Sequence, residues 1–200
     1  IDDYAGICAA LDGKVDMIEL NISCPNVRCG GIAFGIKPES VEQVTRAAKG
    51  ALKSTPLIVK LSPNVESIAA NALAAQRGGA DCVSLINTLT GMVIDIERRR
   101  PIIANNTGGV SGAGIKPIAV RMVWEVCQAV DVPVIGMGGI TSAEDALEFI
   151  MAGASAVQVG TANFTDTLAM PKIIEGLNEW LDRHAVENIS DLRGVLRMNG

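Results

Sequence analysis

A recurring alternation of apolar, β-branched runs with helical segments constrains the fold of this 200-residue chain most strongly. The runs predicted as strands are 16–23, 57–61, 81–87, 132–137 and 156–159. Nearly all of them are apolar on both faces, which is typical of parallel strands covered by helices. A spacing of about 25 to 50 residues leaves room for one crossover helix between successive strands. The alternation therefore predicts an α/β fold with a parallel sheet.

The segments between these runs carry start and stop signals of helices. The predicted helices are 2–11, 40–53, 65–77, a helix within 115–130, 142–151 and 171–184. Ser40 with Gln43 three residues later predicts a capping box, and Ser142 predicts a second helix start. Pro117 suits a first turn, and Gly153 suits the residue past a helix end.

Five such β-α units fit part of a TIM (β/α)8 barrel, which needs eight strands and typically about 250 residues. The beginning of the chain reads as the middle of a helix. We therefore expect residues 1–200 to form one partial barrel domain with about the last five β-α units. A doubly wound sheet is the alternative fold. No G-x-G-x-x-G motif follows the first run, however, and glycine pairs follow the last two runs instead.

Composition excludes several classes of protein. A net charge of −5 argues against a protein built around nucleic-acid phosphates. Five scattered cysteines without a C-x-x-C pair predict neither a disulfide scaffold nor a metal site, and they favour a cytoplasmic protein. The sequence has no run of 18 apolar residues and no signal-peptide pattern, so we predict no membrane association.

Glycines follow the last two predicted strands, as Gly138-Gly139 and Gly160-Thr161. The loops after the last two strands of a barrel often bind phosphate through backbone N–H groups. Simple turn glycines are the alternative for either pair alone. The long stretch that contains Gly112 is a third glycine-rich segment, and it is either a lid or binding loop or a flexible linker.

Polar side chains occupy the ends of the first three predicted strands. Lys60 lies in an otherwise apolar run, where an unpaired charge would be costly, so it needs an anionic partner. That partner could be the ring of a cofactor, a carbonyl substrate in a Schiff base, or a carboxylate such as Glu19. The amide of Asn21 and the pair Asn87-Thr88 suit a planar heterocycle with imide edges, although each could instead serve a turn or a cap.

Cys24 directly follows the first predicted strand, in a polar loop, and precedes a proline. It is a candidate nucleophile or general base. The only histidine, His184, lies in the last predicted helix, so no Cys–His dyad is expected and a protease-like function is disfavoured. The other cysteines outside this loop are expected to act as small apolar residues; they are Cys8, Cys82 and Cys127.

Taken together, these motifs resemble dihydroorotate dehydrogenase, the flavin enzyme of pyrimidine biosynthesis. The matching stretches are 21–27, 59–64, 86–88, 107–112, 136–139 and 159–161. The resemblance runs in order from about residue 16 to residue 181. A cysteine at position 24 is similar to the class 1 enzymes, and residues 30–35 look like the catalytic subunit of the NAD-linked class 1B enzymes. A fumarate-linked class 1A enzyme and a dihydropyrimidine dehydrogenase are the alternative relatives.

The resemblance implies a role for each of these residues. Cys24 would remove the C5 proton of dihydroorotate while hydride passes from C6 to the flavin. Asn21 would contact both FMN and substrate, and Asn87 with Thr88 would bind the orotate edge. The remaining FMN contacts would be Lys60, Ile86, Gly112, Gly138, Gly139, Gly160 and Thr161.

The same resemblance implies partners. The catalytic subunit would form a homodimer and pass electrons to NAD through a separate subunit that carries FAD and a [2Fe–2S] cluster. The first three β-α units of the family have no counterpart here, so we expect the isolated chain to leave an open barrel. Two functions of other classes stay open: a Schiff-base aldolase or isomerase that uses Lys60, and a phosphate-binding barrel without catalysis.

Overall fold

A computed structural model describes residues 1–23 and 31–199. Within these ranges the strands are β1 (Ile18–Asn21), β2 (Leu57–Lys60), β3 (Cys82–Leu85), β4 (Leu89–Gly91), β5 (Ile94–Asp95), β6 (Arg100–Pro101), β7 (Gly108–Val110), β8 (Val134–Met137) and β9 (Ala156–Gln158). The helices are α1 (Asp2–Leu11), α2 (Gly31–Ile36), α3 (Pro38–Gly50), α4 (Ile68–Arg77), α5 (Lys116–Cys127), α6 (Ala143–Met151), α7 (Ala162–Thr165) and α8 (Ala169–Arg183). Two short 3₁₀ helices lie at Ala113–Ile115 and Ile189–Leu192.

Five strands form one parallel sheet in the order β1-β2-β3-β8-β9. Every neighbouring pair is parallel, and the order of the strands follows the order of the chain. A doubly wound sheet reverses its strand order at a switch point, and no such reversal occurs among these strands. The predicted α/β fold, part of a TIM barrel, is therefore confirmed.

The sheet is curved, and a hydrogen bond spans its concave face. Gln158 Nε2 on β9 donates to Glu19 Oε2 on β1 over 3.0 Å, although the two strands lie at opposite ends of the sheet. On the convex face, helices cover buried apolar side chains of the strands, such as Val83 and Leu85, and add their own, such as Phe149 of α6. The aliphatic core therefore lies between sheet and helices, and polar side chains of the concave face are free to form a site.

The helix starts confirm some of the sequence signals and correct one. Ser142 caps α6 in a capping box, and Pro117 lies in the first turn of α5. The capping box predicted at Ser40 is wrong, because α3 already begins at Pro38, whose fixed φ favours the first helical position. The helix predicted from residue 65 begins at Ile68 instead. Ser67 is its N-cap, because the side chain of Ser67 accepts a hydrogen bond from the N–H of Ala70.

The long glycine-rich segment between β3 and α5 is ordered into two antiparallel ribbons. In one, β4 pairs with β7, and in the other, β5 pairs with β6. This pairing contradicts the flexible-linker alternative. The ribbon of β4 and β7 brings Ser111 and Gly112 back to the carboxyl ends of the parallel strands. This is the position expected of a binding loop. None of the helices in the described ranges has the length and apolar character needed to cross a membrane.

Candidate active site

A cavity of about 440 Å³ lies at the carboxyl ends of β2, β3, β8 and β9. Its lining includes nearly all residues that the sequence analysis assigned to cofactor or substrate. These are Lys60, Ile86, Asn87, Thr88, Gly112, Gly138, Gly139, Gly160 and Thr161. Because the carboxyl ends of parallel strands form the functional face of a barrel, the cavity lies where chemistry is expected.

Two predicted site residues are not among those lining the cavity. Asn21 lies beside it, at the end of β1, and contacts it through Asn87. Cys24 lies outside the described residues. In the sequence it directly follows Ser23, whose side chain is part of the hydrogen-bonded group described next.

The amides at the ends of β1 and β3 form one hydrogen-bonded group. Asn87 Nδ2 donates to Asn21 Oδ1 over 3.1 Å and to Ser23 Oγ over 2.7 Å. Asn87 Oδ1 in turn accepts from the backbone N–H of Thr88 over 2.8 Å. These contacts fix the orientation of both amides before a ligand arrives, so the polar edge of the cavity is pre-organised.

Asn64 positions the segment that follows Thr88, a role the sequence analysis missed. Its Nδ2 donates to the carbonyl of Thr88 over 2.9 Å, and its Oδ1 accepts from the N–H of Thr90 over 2.9 Å. In the sequence, Asn64 lies within the stretch 59–64, in the polar run Ser62-Pro63-Asn64 that follows the second predicted strand. A polar turn directly after a predicted strand was the signal that could have identified it.

The glycines at the end of β8 satisfy a backbone requirement. Gly138 and Gly139 have φ angles of +125° and +79°, in the region that favours glycine. A Cβ at Gly139 would lie 2.8 Å from the backbone nitrogen of Lys116 and 2.9 Å from the carbonyl oxygen of Gly112. Glycine at position 139 therefore allows the β8 loop to pack directly against the loop that carries Gly112.

The glycine loops also present backbone donors. The N–H groups of Gly139 and Gly160 have no backbone acceptor within the described ranges. A Cβ at Gly160 would meet no heavy atom within 4 Å, so open space lies beside this residue. Thr161 Oγ1 donates to Ser111 Oγ over 2.9 Å, and this bond links the loop of Gly160 to the loop that carries Gly112. The arrangement can bind an anion through the main chain.

Asp145 organises the loop between β8 and α6. Its Oδ2 accepts from the N–H and Oγ1 of Thr141 over 2.8 and 2.7 Å and from the N–H of Ser142 over 3.1 Å. Its Oδ1 pairs with Lys116 Nζ over 2.6 Å. Burial raises the pKa of Asp145, but the hydrogen bonds from Lys116 and Thr141 outweigh burial and hold the pKa below its usual value. Asp145 therefore stabilises the loop in its ionised form.

We expect Asp145→Asn to lower the free energy of unfolding by about 1 to 2 kcal/mol at pH 7. The lowered pKa means that Asp145 stabilises the fold fully above its usual value of 3.8 and loses this effect as pH falls through its value in the fold. The difference from the unmodified protein should therefore shrink in acid. Urea unfolding at pH 7 and at decreasing pH measures it. Glu144→Gln removes a charge from the same turn but no bond to Thr141, so an equal loss there would contradict the assignment.

Lys60 is the one charged side chain that lines the cavity within the described residues. Its Nζ lies 3.2 Å from Glu19 Oε1, and the two side chains are 21% and 27% exposed. The carboxylate alternative considered for Lys60 is therefore the partner that the structure contains. An ammonium that already has an anionic partner is a poor nucleophile. This pairing disfavours the hypothesis of a Schiff-base aldolase or isomerase that uses Lys60.

The described cysteines are poor candidates for a base. Burial raises the pKa of Cys8, and burial followed by the charges of Glu19 and Asp81 raises the pKa of Cys82 to about 11. Burial also raises the pKa of Cys127 to about 11, against the opposing effect of Arg193. These thiols stay protonated near neutral pH, as expected for cysteines that act as small apolar residues.

Other residues of the cavity wall carried no motif in the sequence. They include Ser111, Met137, Thr141 and Gln158. Gln158 is the last residue of β9, and only the curvature of the sheet brings it close to Glu19 on β1. Alternation along β9 could have indicated its face but not its neighbours.

Comparison with known proteins finds a family profile and relatives that agree with one another. The profile of the dihydroorotate dehydrogenase family matches residues 1–181. A protein of Bacteroides fragilis described as dihydroorotate dehydrogenase B (NAD(+)), catalytic subunit, is 56% identical over 99% of this chain and 66% of its own length. Proteins of the same description from Alkaliphilus metalliredigens and Pelobacter propionicus are 55% and 56% identical over 98% of this chain. The chain spans 65% and 64% of the length of these two relatives.

A solved structure supports the fold. The crystal structure of DHODH from Eimeria tenella in complex with ferulenol superposes with a TM-score of 0.82, over 97% of this chain and 57% of that one. At 23% identity, this likeness concerns the fold alone. The predicted resemblance thus agrees with the family profile, the relatives and the fold, and the chain belongs to the dihydroorotate dehydrogenase family.

Proposed function

We propose that this chain supplies the FMN and substrate site of an enzyme that oxidises dihydroorotate to orotate in pyrimidine biosynthesis. One observation carries the proposal: apart from Asn21, every residue assigned to FMN by the family resemblance lines one cavity. The residues assigned to the orotate edge, Asn87 and Thr88, line the same cavity. The 52–56% identical relatives named as catalytic subunits of the NAD-linked enzyme support the same reaction.

The chemistry of the cavity supports FMN as the cofactor. Its glycine loops offer backbone N–H groups without backbone acceptors in the described part of the chain, which suit the phosphate. Lys60 offers a positive charge on the strand side, which suits the oxygen-rich edge of the ring. Apolar side chains such as Ile86, Ile115 and Met137 complete the wall. FMN, when bound, supplies the hydride acceptor.

The chain's own residues then hold the substrate and move one proton. Asn21, Asn87 and Thr88 bind the imide and carboxylate edge through amide and hydroxyl groups. Cys24, as a thiolate, takes the C5 proton of dihydroorotate, and the electron pair of the C5–H bond forms the new C5=C6 bond as hydride leaves C6. Lys60 would hold the hydride acceptor, FMN, in position in the cavity. This division of roles explains why one thiol is enough, without a histidine partner.

The proposed electron acceptor is NAD, reached through a partner subunit with FAD and a [2Fe–2S] cluster. The relatives' description as a catalytic subunit supports such a partner. We further propose a homodimer of catalytic subunits, located in the cytoplasm.

The experiment uses the purified protein that carries this chain, reconstituted with FMN. Anaerobic addition of dihydroorotate should bleach the flavin absorbance and release orotate in a one-to-one ratio. Dihydrouracil serves as the control, because it lacks the carboxylate and should react far more slowly. Bleaching by dihydrouracil at an equal rate would instead favour a dihydropyrimidine dehydrogenase. A flavin that stays oxidised with both compounds would overturn the proposal.

A further inference from the structure

Glu19 lies directly behind the cavity wall and contacts two of the residues that form it. The carboxylate pairs with Lys60 Nζ over 3.2 Å through Oε1. Through Oε2 it accepts from Gln158 Nε2 over 3.0 Å. Lys60 and Gln158 both line the cavity, whereas Glu19 does not. Any ligand that contacts Lys60 therefore meets an ammonium whose charge is already partly balanced.

A third hydrogen bond completes the network. Ser84 Oγ, on a fully buried residue, donates to Glu19 Oε2 over 3.0 Å. Glu19 thereby connects β1 with β2, β3 and β9 across the concave face. With 27% of its side chain exposed, the carboxylate is only partly screened by water. The charge of Glu19 is also one cause, after burial, of the raised pKa of Cys82 on β3. The carboxylate therefore influences a group beyond its own hydrogen-bond partners.

We infer that Glu19 is a positioning residue that balances the charge of Lys60 beside the flavin and thereby keeps the flavin's reduction potential low. The inference rests on the proposed function in that it requires FMN in this cavity. Two electrons and one proton convert the neutral oxidised ring into an anionic reduced ring. A nearby ammonium stabilises that anion, and a carboxylate behind the ammonium opposes the effect.

The variant that tests the inference is Glu19→Gln, which keeps the size and an acceptor oxygen but removes the charge. We expect its flavin to be reduced more readily, with about a tenfold shift in the two-electron equilibrium, or about 30 mV upward in midpoint potential. Titration of the FMN-loaded protein with dithionite and a reference dye at pH 7 measures this without dihydroorotate. Thermal unfolding of the same samples records any structural effect.

Matched variants separate charge from structure. Ser84→Ala removes a hydrogen bond to the same carboxylate without changing any charge, so its potential should equal that of the unmodified protein. Lys60→Gln should shift the potential downward. An unchanged potential in Glu19→Gln, or an equal upward shift in Ser84→Ala, would overturn the inference.

A double variant keeps the test decisive if Glu19→Gln does not retain flavin. Glu19→Gln with Lys60→Gln removes both charges together, and its potential should return to that of the unmodified protein. A potential as low as that of Lys60→Gln alone would refute charge balancing. Failure of dihydroorotate to bleach the flavin would overturn the proposed function but leave this measurement intact. Absence of bound FMN in the unmodified protein would overturn both.

Discussion

Replacing Cys24 by alanine should slow flavin reduction by dihydroorotate by about 10²- to 10⁴-fold. The proposed role of the thiolate is to take the C5 proton, and the described cysteines have pKa values raised by burial, so none of them can replace it. Binding of orotate should stay within a few-fold of the unmodified protein, since Asn21, Asn87 and Thr88 are unchanged. Stopped-flow absorbance of the flavin measures the rate, and difference spectra on orotate addition measure binding.

The matched control is Cys29→Ala, in the same segment of the sequence. It removes a thiol five residues away and should leave the rate of flavin reduction unchanged. Cys24→Ser adds a second comparison, because a hydroxyl is a much weaker acid than a thiol, so this variant should reduce the flavin at a restored rate only at higher pH. A Cys24→Ala protein that reduces flavin as fast as the unmodified protein would show that another group is the base.

Gly139→Ala should have the second largest effect, on both stability and FMN binding. At a φ of +79°, a side chain is strained, and its Cβ would approach the backbone of Lys116 and Gly112 to 2.8 and 2.9 Å. Strain of this kind costs about 1 to 3 kcal/mol, and the backbone contacts add to it because neither can rotate away. We expect at least about a tenfold loss of FMN affinity, measured by fluorescence as flavin is released on dilution.

Gly114→Ala is the control for this change. Gly114 lies in the neighbouring 3₁₀ helix, and a Cβ there would meet nothing within 4 Å. The variant should bind FMN normally and unfold at the same temperature or slightly higher. Equal losses of affinity in both variants would mean that the loop responds to any added methyl group, and the close approach at Gly139 would not be the cause.

The fold was largely predictable because each strand of the parallel sheet is short, apolar and bounded by a strong stop signal. Val134–Met137, for example, ends at Gly138-Gly139, where positive φ angles favour glycine. The start of α3 was not predicted correctly, since Ser40 and Pro38 are both credible start signals and sequence alone does not rank them. The ribbons between β3 and α5 were missed because their strands have only two or three residues.

The candidate site was predictable where a residue type is costly without a function. Lys60 in an apolar strand and glycines at two strand ends are of this kind, and all of them line the cavity. Gln158 and Asp145 could not be found in this way, because a glutamine or an aspartate at the surface of a domain is unremarkable. Gln158 contacts Glu19, 139 residues away along the chain, and Asp145 contacts Lys116, 29 residues away, in addition to its local bonds to Thr141 and Ser142. Only the curvature of the sheet and the packing of α5 on α6 bring these partners together.

The main-chain donors of Gly139 and Gly160 have a consequence for how this site tolerates change. A backbone N–H has no proton that titrates near neutral pH, and no substitution other than proline can delete it. In the proposed complex, any dependence on pH at the phosphate end of FMN would therefore come from the phosphate itself, whose second pKa is about 6. Mutations there would act by adding atoms, so we expect the damaging substitutions to cluster at the glycines and the harmless ones at their solvent-facing neighbours.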